Sequence, residues 1–597
     1  MLVNKTLAKP HHPVELPVLF LTEMWERFSF YLMLGILPLY LADSQKGGLG
    51  WTDEQAAVAL GSYTALVYFT PFIGGRLADR LFGLRNTVLL GATLMMIGHL
   101  VLAWPTRTGL FLGLAFLICG NGAFKPNIST LLGNLYPPGS PLKDSGYSIF
   151  YVGVNLGAFI CNFVAAMVRN YFDAHPWTVT SGWVIGGWHG AFGTAAVGMF
   201  LGLTLFALNY RRLARGESRE SARSGGGESL TPLWFECLLP AVILGAVGWF
   251  AAPYLNIGIN APTGAFLGAC VPVVVFYLRI WRGLPTDAER SRVGALLVVF
   301  LVSIVFWTTY GLNTTALNVW TRDNTDRRPN GAVSLITERF KEFAENAPPD
   351  YFTNASPDVA RPAKDSFEIV SPERYKELKE KQALNVVEDK HVYVTQGILD
   401  NVYEHTRPET PILPEGKHLK VVNSELFQSI DPGVIILMTP IMVALWGWLR
   451  RRGLEPDTPL KIGLSLFIIA CSPLIMLGAT YSTQDGQMKG TAWWLIGTYA
   501  MVAMGEIFMS PIGLSLVNKM APARISAFMM GGWFLATSCG LKISGILGET
   551  YQKVEHKLFW TMLVAANVFV GIIVLILLPW LRRQIAETDA PSPSKPE

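Results

Sequence analysis

The chain has 597 residues, of which 51% are hydrophobic and only 15% are charged, and its mean hydropathy is +0.34. Soluble globular chains carry about 25% charged residues, so this composition indicates a membrane protein. The net charge of +4 gives no reason to expect nucleic-acid binding. All six cysteines fall in apolar stretches, which excludes a disulfide framework and the paired-cysteine spacing of a metal site.

Fourteen apolar runs are long enough to cross a bilayer, which takes about 20 mostly apolar residues in a helix. The chain begins without the short apolar core and small-residue cleavage site of a signal peptide, so we expect the first run to be a retained helix. The runs lie near residues 15–41, 54–78, 86–104, 108–134, 146–171, 185–210, 233–255, 262–281, 292–320, 433–450, 460–480, 491–517, 525–548 and 557–581.

Basic residues lie beside alternate connections between these runs. Loops rich in Lys and Arg stay in the cytoplasm, and all of these clusters fall on one side if both termini are cytoplasmic. The clusters are Arg76, Arg80 and Arg85, then Arg211, Arg212 and Arg215, then Arg279, Arg282, Arg290 and Arg292, then Arg450, Arg451 and Arg452, then Lys519 and Arg524, and finally Arg582 and Arg583.

Two segments are too polar to lie in the membrane. Residues 211–232 are a basic, Ser- and Gly-rich stretch that is typical of a flexible cytoplasmic linker. Residues 322–430 form a polar insertion on the opposite, external side, and this length suits a small folded domain. Charge pairs at helical spacing predict helices in SLITERFKEFAE and SPERYKELKEKQAL, whereas PPDYFTNASPD and RPETPILPEG are typical of loops. The insertion has no catalytic or metal-ligand pattern, and its partner, if any, is unknown.

Charged residues share one face of the first apolar run. Glu23, Glu26 and Arg27 lie at i, i+3 and i+4, followed on the same face by Phe30 and Tyr31. Ionisable residues cost about 2.5–3.5 kcal/mol each within a span, so they normally face a partner or a water-filled cavity. This pattern predicts a functional charged cluster, and the alternative is a structural ion pair near a helix end.

The motif EMWERFSFYL resembles the ExxERFxYYG signature of the proton-coupled oligopeptide transporters, with Phe30 in place of the first Tyr and Leu32 in place of the Gly. The resemblance continues in order along nearly the whole chain. It includes GGRLADRLFG, NGAFKPNIS, FYVGVNLGAF, FQSIDP, GEIFMSPIGLSLVNKMAPAR and MMGGWFLAT.

This resemblance implies an all-α membrane protein with the major facilitator fold, in which 12 core helices form two six-helix bundles. Two further helices between core helices 6 and 7 match the bacterial members, so we expect an integral protein of the bacterial inner membrane. The implied domains are an N-terminal bundle (1–210), the linker (211–232), two peripheral helices with a loop (233–291), core helix 7 (292–321), the insertion (322–430), core helices 8–12 (431–583) and a cytoplasmic tail (584–597).

The resemblance also implies roles for individual residues. Glu23, Glu26, Arg27 and Lys125 would couple protonation to gating, and Arg27 and Lys125 would also hold the peptide carboxylate. The expected substrate-binding set is Arg27, Tyr31, Tyr68, Lys125, Asn155, Trp307, Asp431, Glu506, Ser510 and Trp533. In this set Tyr31 and Tyr68 would bind the peptide backbone, Asn155, Asp431 and Glu506 would receive the amino group, and the two Trp residues would line side-chain pockets. For Tyr68 and both Trp residues, simple packing is an equal alternative.

The sequence departs from the family pattern in three core helices. Core helix 7 has Gly311 and Leu312 where the family has Glu and Gln, and Asp431 stands where Asn is usual in core helix 8. Core helix 11 lacks the family's Asn after Gly540 and has Leu541 and Lys542 instead. Asp431 either restores the negative charge lost at Gly311 or simply caps the start of core helix 8, since Pro432 follows it. Without the helix 7 carboxylate, Lys125 is expected to lean on Glu23 and Glu26.

The sequence therefore predicts a proton-coupled symporter that imports di- and tripeptides by alternating access, with no cofactor and no metal. Its partners would be peptides, protons and lipid. One alternative keeps the fold and carries nitrate or another small organic anion. The other is a non-transporting receptor or scaffold with a partner-binding insertion. An enzyme is not expected, because no nucleophile–base pair stands out.

Overall fold

A computed structural model of the chain describes residues 11–43, 47–137, 140, 142–180, 183–217, 231–255, 259–329, 332–339, 424–483, 489–551 and 554–589. It also describes short segments of the insertion between residues 344 and 422. The predicted loops PPDYFTNASPD and RPETPILPEG, and most of the predicted helix SPERYKELKEKQAL, lie outside the described residues.

The first part of the chain forms a helical bundle. The second predicted run divides into α2 and α3 because Pro71 opens a new helix, and α3 continues as a π-helical turn, Ala78–Phe82. A two-stranded antiparallel hairpin, β1 (Trp177–Thr180) and β2 (Trp183–Ile185), precedes the last helix. The helices are α1 (Leu16–Ala42), α2 (Asp53–Phe69), α3 (Pro71–Leu77), α4 (Leu84–Leu102), α5 (Arg107–Asn134), α6 (Lys143–Ala174) and α7 (Gly187–Leu208).

A hairpin of two helices follows the linker, and we call it the lateral hairpin. It consists of α8 (Leu239–Ala251), preceded by a π-helical turn, and α9 (Ala261–Arg282). The two helices cross closely at Gly248 and Gly264, where an added methyl group on Gly248 would lie 2.1 Å from the Gly264 carbonyl oxygen. Only glycine permits this approach of two backbones.

Core helix 7 is interrupted, although the sequence predicted a single span. It consists of α10 (Asp287–Gly311), a 3₁₀ turn (Leu312–Thr314) and α11 (Ala316–Asn324). In the insertion, α12 (Ala332–Arg339) overlaps the first half of the predicted helical stretch SLITERFKEFAE, whose last two residues, Ala344 and Glu345, belong to a strand instead of a helix. The insertion also contains β3 (Ala344–Asn346), β4 (Phe367–Ile369), β5 (Asn385–Val386), β6 (His391–Val394) and β7 (Lys420–Val422). Strand β3 pairs with β7, and β6 pairs with β4 and β5.

The rest of the chain forms a second helical bundle. After the short α13 (Ser424–Phe427), its helices are α14 (Ile430–Arg451), α15 (Thr458–Ser482), α16 (Ala492–Met520), α17 (Ser526–Tyr551) and α18 (His556–Asp589). Helix α1 packs along α6 and α7, and α15 packs along α16 and α18. The two bundles meet where α2 and α3 pack on α17 and where α6 packs on α14 and α16.

Within the described residues, 12 helical segments are long and apolar enough to cross a membrane. They include both arms of the lateral hairpin, Leu233–Tyr254 and Ala261–Arg282. Helices α1 and α17 are not among them, although the sequence predicted both as spans. Helix α1 carries three charged side chains, which lowers its hydropathy. The assignment of the lateral hairpin as two helices additional to a twelve-helix core stays a prediction.

One aromatic residue of the lateral hairpin attaches it to the second bundle. The ring of Tyr277 stacks on Phe528 with the ring centroids 4.4 Å apart, and its hydroxyl donates a hydrogen bond of 2.9 Å to the Phe528 carbonyl oxygen. Phe72 of the first bundle also contacts the Tyr277 ring, at 6.5 Å between centroids. The hairpin therefore touches both bundles at this level.

Candidate functional site

The charged residues of α1 are packed against one another inside the first bundle. Arg27 donates two hydrogen bonds, from Nε and Nη2, to the two carboxylate oxygens of Glu26. Glu23 is a looser partner, with its Oε1 atom 3.5 Å from Arg27 Nε. Asn121 of α5 is 3.4 Å from Glu26. Arg27 and Glu26 are completely buried, so the predicted cluster forms, with a bidentate pair at its centre.

The cluster keeps some bonding capacity unused. Arg27 Nη1 and Glu23 Oε2 are buried and have no hydrogen-bond partner among the described residues. The guanidinium lies over the ring of Phe30 at 4.6 Å and is 5.9 Å from that of Tyr31. The Tyr68 hydroxyl also contacts it. One guanidinium nitrogen and one carboxylate oxygen therefore remain available for a ligand or a proton.

Lys125 of α5 extends from the first bundle toward the second. Its ammonium nitrogen lies 5.3 Å from the Tyr68 ring centre and 5.5 Å from that of Phe534 in α17. Among the described residues it forms no ion pair, although Glu23 and Glu26 are near enough to interact with it electrostatically. That Lys125 leans on these two acids stays a prediction. A cation held over two aromatic faces remains able to bind an anion.

Glu506 is the buried acid of the second bundle, at the middle of α16. Its carboxylate accepts a hydrogen bond from Tyr151 of α6, and the Tyr310 hydroxyl of α10 lies close to it. Its Oε2 atom has no partner among the described residues. Ser510 lies one turn further along and adjoins Tyr151. The Tyr151–Glu506 hydrogen bond joins the two bundles directly at the level of the site.

Asn155 and Asp431 lie close to this acid in different ways. The Asn155 side chain donates to the Tyr151 carbonyl oxygen of its own helix at 2.9 Å. Asp431 is in the first turn of α14, where Ser429 occupies the cap position and accepts a hydrogen bond from Asn162. Asp431 is 6% exposed and lies within electrostatic range of Glu506, and its Oδ1 atom has no hydrogen-bond partner among the described residues. It is therefore not the capping residue, although an acid in the first turn interacts favourably with the helix dipole.

The two predicted tryptophans are in different surroundings. Trp533 is 1% exposed, and its described ring contact is with Phe300. It also fills the space beside Gly513, where an added methyl group would lie 2.2 Å from its ring. These are the contacts of a packing residue. Trp307 contacts Tyr310 at 5.2 Å between ring centres, which places it beside the Glu506 group, and its indole nitrogen has no partner among the described residues.

The absent carboxylate of core helix 7 has a steric explanation. A methyl group added to Gly311 would lie 2.7 Å from the Ser544 Cβ atom and 2.9 Å from Leu541 Cδ2. One helical turn earlier on both helices, a methyl group on Gly540 would lie 2.5 Å from the Trp307 Cβ atom. Helices α10 and α17 therefore approach too closely for a glutamate at position 311 in this arrangement.

Sequence reasoning missed Tyr151, Tyr310 and Asn121. Tyr151 precedes Asn155 by one helical turn in the motif FYVGVNLGAF, so its position on the same face was a usable signal. Tyr310 directly precedes the Gly311 departure and supplies the contact to Glu506 from α10. Asn121, in contrast, reaches Glu26 across a helix interface that no sequence spacing reveals.

Contacts between the bundles close the site at both ends. At the end rich in basic residues, Asp144 of α6 pairs with Lys519 of α16 at 2.7 Å and accepts a hydrogen bond from Ser515. At the other end, Asn162 of α6 donates to Ser429 at 2.9 Å. At 1.5 Å per residue, Tyr151 lies about 10 Å along α6 from the first contact and about 16 Å from the second. The two bundles thus contact each other on both sides of the buried charged groups.

Two helical bundles around a buried charged site define a membrane transporter with the major facilitator fold. A family model described as the POT family matches residues 85–237 and 417–568, which is more than half of the chain. The chain belongs to the POT family.

Curated relatives match along almost the whole chain. The di-/tripeptide transporter of Lactococcus lactis subsp. lactis is 29% identical over 581 residues, covering 95% of each chain. The uncharacterized transporter YclF of Bacillus subtilis is 27% identical over 577 residues, covering 96% of this chain and 95% of its own.

Solved structures agree with the fold. Peptide transporter POT in complex with sulfate is 28% identical, with a TM-score of 0.62 and 96% of each chain covered. A mutant of peptide transporter POT in complex with alafosfalin gives a TM-score of 0.61 at 28% identity and the same coverage. These matches confirm the predicted family, the major facilitator fold and a transporter rather than an enzyme. The roles of individual site residues stay predictions.

Proposed function

We propose that the protein is a proton-coupled symporter that imports di- and tripeptides by alternating access. The observation that carries the proposal is the division of buried charge between the bundles. The first bundle presents Arg27 and Lys125, and the second presents Glu506 and Asp431. A zwitterionic peptide has a carboxylate at one end and an ammonium at the other, so it would bridge these groups and draw the two bundles together.

The unused bonding capacity supports particular contacts. The free nitrogen of Arg27 and the unpaired ammonium of Lys125 suit the peptide carboxylate, because guanidinium and ammonium groups form charge-assisted hydrogen bonds to it. Tyr31 and Tyr68, which lie beside Arg27, suit the peptide backbone. At the other end, the free oxygens of Glu506 and Asp431 suit the ammonium group. Asn155 and Ser510 would complete the polar lining there.

Proton coupling is assigned to the α1 cluster. In the part of the chain that the structure describes, Glu23 has one oxygen without a hydrogen-bond partner and only a long contact to Arg27, so it is the acid best placed to gain and lose a proton. Protonation of Glu23 would weaken its attraction for Arg27 and leave the guanidinium more available to the substrate. A local change of charge of this kind can bias a two-state rocking motion.

The rocking motion would break one closing contact at a time. Separation of Asp144 from Lys519 would open the end rich in basic residues, and separation of Asn162 from Ser429 would open the other end. By the positive-inside rule, the first of these ends would face the cytoplasm, and both termini would lie on that side of the bacterial inner membrane. Substrate would therefore enter past Asn162 and leave past Lys519.

The rival cargo fits the site less well. A carrier of nitrate or a similar small anion would have to keep Glu506 and Asp431 buried next to its substrate without a cation to balance them. Buried unpaired charges are costly, and a peptide ammonium balances them directly. The scaffold alternative gives no role to the buried carboxylates of α1 and α16.

Transport in proteoliposomes tests the proposal. We expect an inwardly directed proton gradient to drive accumulation of labelled dialanine, with competition by di- and tripeptides and none by free amino acids or nitrate. Thermal-shift measurements on the purified protein should show the same order, because a ligand that binds only the folded state stabilises it. Stabilisation and transport by nitrate alone, with no response to peptides, would refute the peptide assignment.

A further inference from the structure

The two bundles carry unequal buried charge around the site. In the first bundle, the buried Arg27 and the partly buried Lys125 are matched in number by the buried Glu23 and Glu26. In the second bundle, Asp431 and Glu506 lie on α14 and α16, which pack against each other, and the two carboxylates interact electrostatically. No basic side chain of the described residues forms an ion pair with either of them. Lys125 approaches Glu506 from the other bundle without pairing.

The immediate neighbours of the two acids are neutral. Tyr151 and Tyr310 contact Glu506, and Tyr31 and Tyr499 lie within electrostatic range of Asp431. Tyrosine hydroxyls can donate hydrogen bonds to a carboxylate but do not cancel its charge. Each acid is at least 94% buried, and each has an oxygen atom with no partner in the described part of the chain.

A further buried polar atom points to a ligand at the same place. The Ser510 hydroxyl is one turn from Glu506 on α16, and Ser510 is 3% exposed. This hydroxyl is a further hydrogen-bond acceptor beside the free oxygens of Glu506 and Asp431. Acceptors gathered around two carboxylates match an ammonium, which offers three donors and a positive charge.

We infer that Asp431 and Glu506 form a subsite for two positive charges, and that the protein prefers peptides whose first residue carries a basic side chain. This inference rests on the proposed function. The α-ammonium of any peptide supplies one positive charge to the pair. The side chain of a first-position lysine leaves the same Cα atom as that ammonium, so it can supply the second charge nearby. A neutral first residue leaves one buried carboxylate unbalanced.

Competition for uptake of labelled dialanine tests the inference, with Lys-Ala, Ala-Lys and Ala-Ala as the competing peptides. We expect Lys-Ala to compete on the order of tenfold better than Ala-Ala, which corresponds to the low end of the coupling energies measured for close charge pairs across an interface. Ala-Lys, which has the same net charge with its ammonium side chain at the other end, should not show this advantage.

Two variants identify the residue responsible. Asp431→Asn should reduce the Lys-Ala to Ala-Ala ratio to about one, whereas Asp431→Glu, which keeps the charge, should restore most of the preference. Thermal stability confirms that both variants are folded. The inference is wrong if wild-type protein takes up dialanine without favouring Lys-Ala, or if Asp431→Asn changes the pH profile of uptake while leaving the ratio intact. A wild-type protein that transports none of these peptides would instead overturn the proposed function.

Discussion

The two acids of α1 should respond differently to the same substitution. In Glu26→Gln, the guanidinium of Arg27 loses its bidentate partner and keeps only Glu23, whose nearest oxygen is 3.5 Å away. Breaking a buried ion pair by neutralising one partner typically costs about 3–5 kcal/mol. Because Glu23 partly replaces the lost charge, we expect a value near the lower end of that range. In Glu23→Gln, Arg27 keeps its bidentate pair, so the loss should be about 1 kcal/mol, as for a single weak hydrogen bond.

Function should divide in the opposite sense. Glu23→Gln should abolish uptake driven by a proton gradient while counterflow exchange, which needs no net proton movement, continues at a substantial rate. Glu26→Gln should lower the midpoint of thermal unfolding and reduce both activities together, because the misplaced guanidinium no longer binds the peptide carboxylate. Measurements of unfolding, gradient-driven uptake and counterflow on the same preparations would decide the matter. A Glu26→Gln variant that is as stable as wild type and fails only in gradient-driven uptake would refute this division of roles.

Three further changes probe packing, closure and the insertion. Gly311→Ala should lower thermal stability, since overpacking costs about 1–3 kcal/mol. The control Gly545→Ala should not, because nothing lies within 4 Å of its new methyl group. Equal stability of the two variants would contradict the close approach of α10 and α17. Lys519→Gln removes the ion-pair partner of Asp144 and should cost about 1 kcal/mol of the free energy that holds the bundles together, so amide hydrogen exchange at that end should become roughly fivefold faster. Unchanged exchange would show that the ion pair does not hold the bundles closed. Replacing residues 347–419 with a tight turn should leave peptide uptake within about twofold of wild type, because β3 and β7 already pair at the two cut ends. A shortened protein that is well expressed but inactive would show that the insertion takes part in transport.

Much of the fold follows from the sequence because long apolar runs and basic loops are local features. The division of the second run at Pro71 and the 3₁₀ turn after Gly311 were not predicted, since a broken helix and a straight one have the same hydropathy. The strand pairing within the insertion depends on contacts between distant segments. Helical periodicity alone could not anticipate it.

The candidate site was predicted only in part, because helical spacing is a local feature whereas the choice of side-chain partners is not. Helical spacing placed Glu23, Glu26 and Arg27 on one face, but it could not show that the bidentate partner of Arg27 is the adjacent Glu26 rather than Glu23. That choice depends on side-chain rotamers inside a packed bundle. Tyr310 was not predicted, because the departure from the family pattern is at Gly311 and the pattern gives no role to the residue before it.

The lateral hairpin has a mechanical consequence for the transport cycle. Tyr277 ties it to Phe528 of the second bundle and lies against Phe72 of the first, while its outer face exposes Val242, Phe250 and other large apolar side chains. When the bundles rock, the exposed face of the lateral hairpin must therefore move relative to the surrounding lipid. The energy difference between the open and closed states then includes the elastic response of the bilayer, which depends on its hydrophobic thickness. Turnover should consequently vary with the acyl-chain length of the host membrane, and rates obtained in detergent need not equal those in lipid.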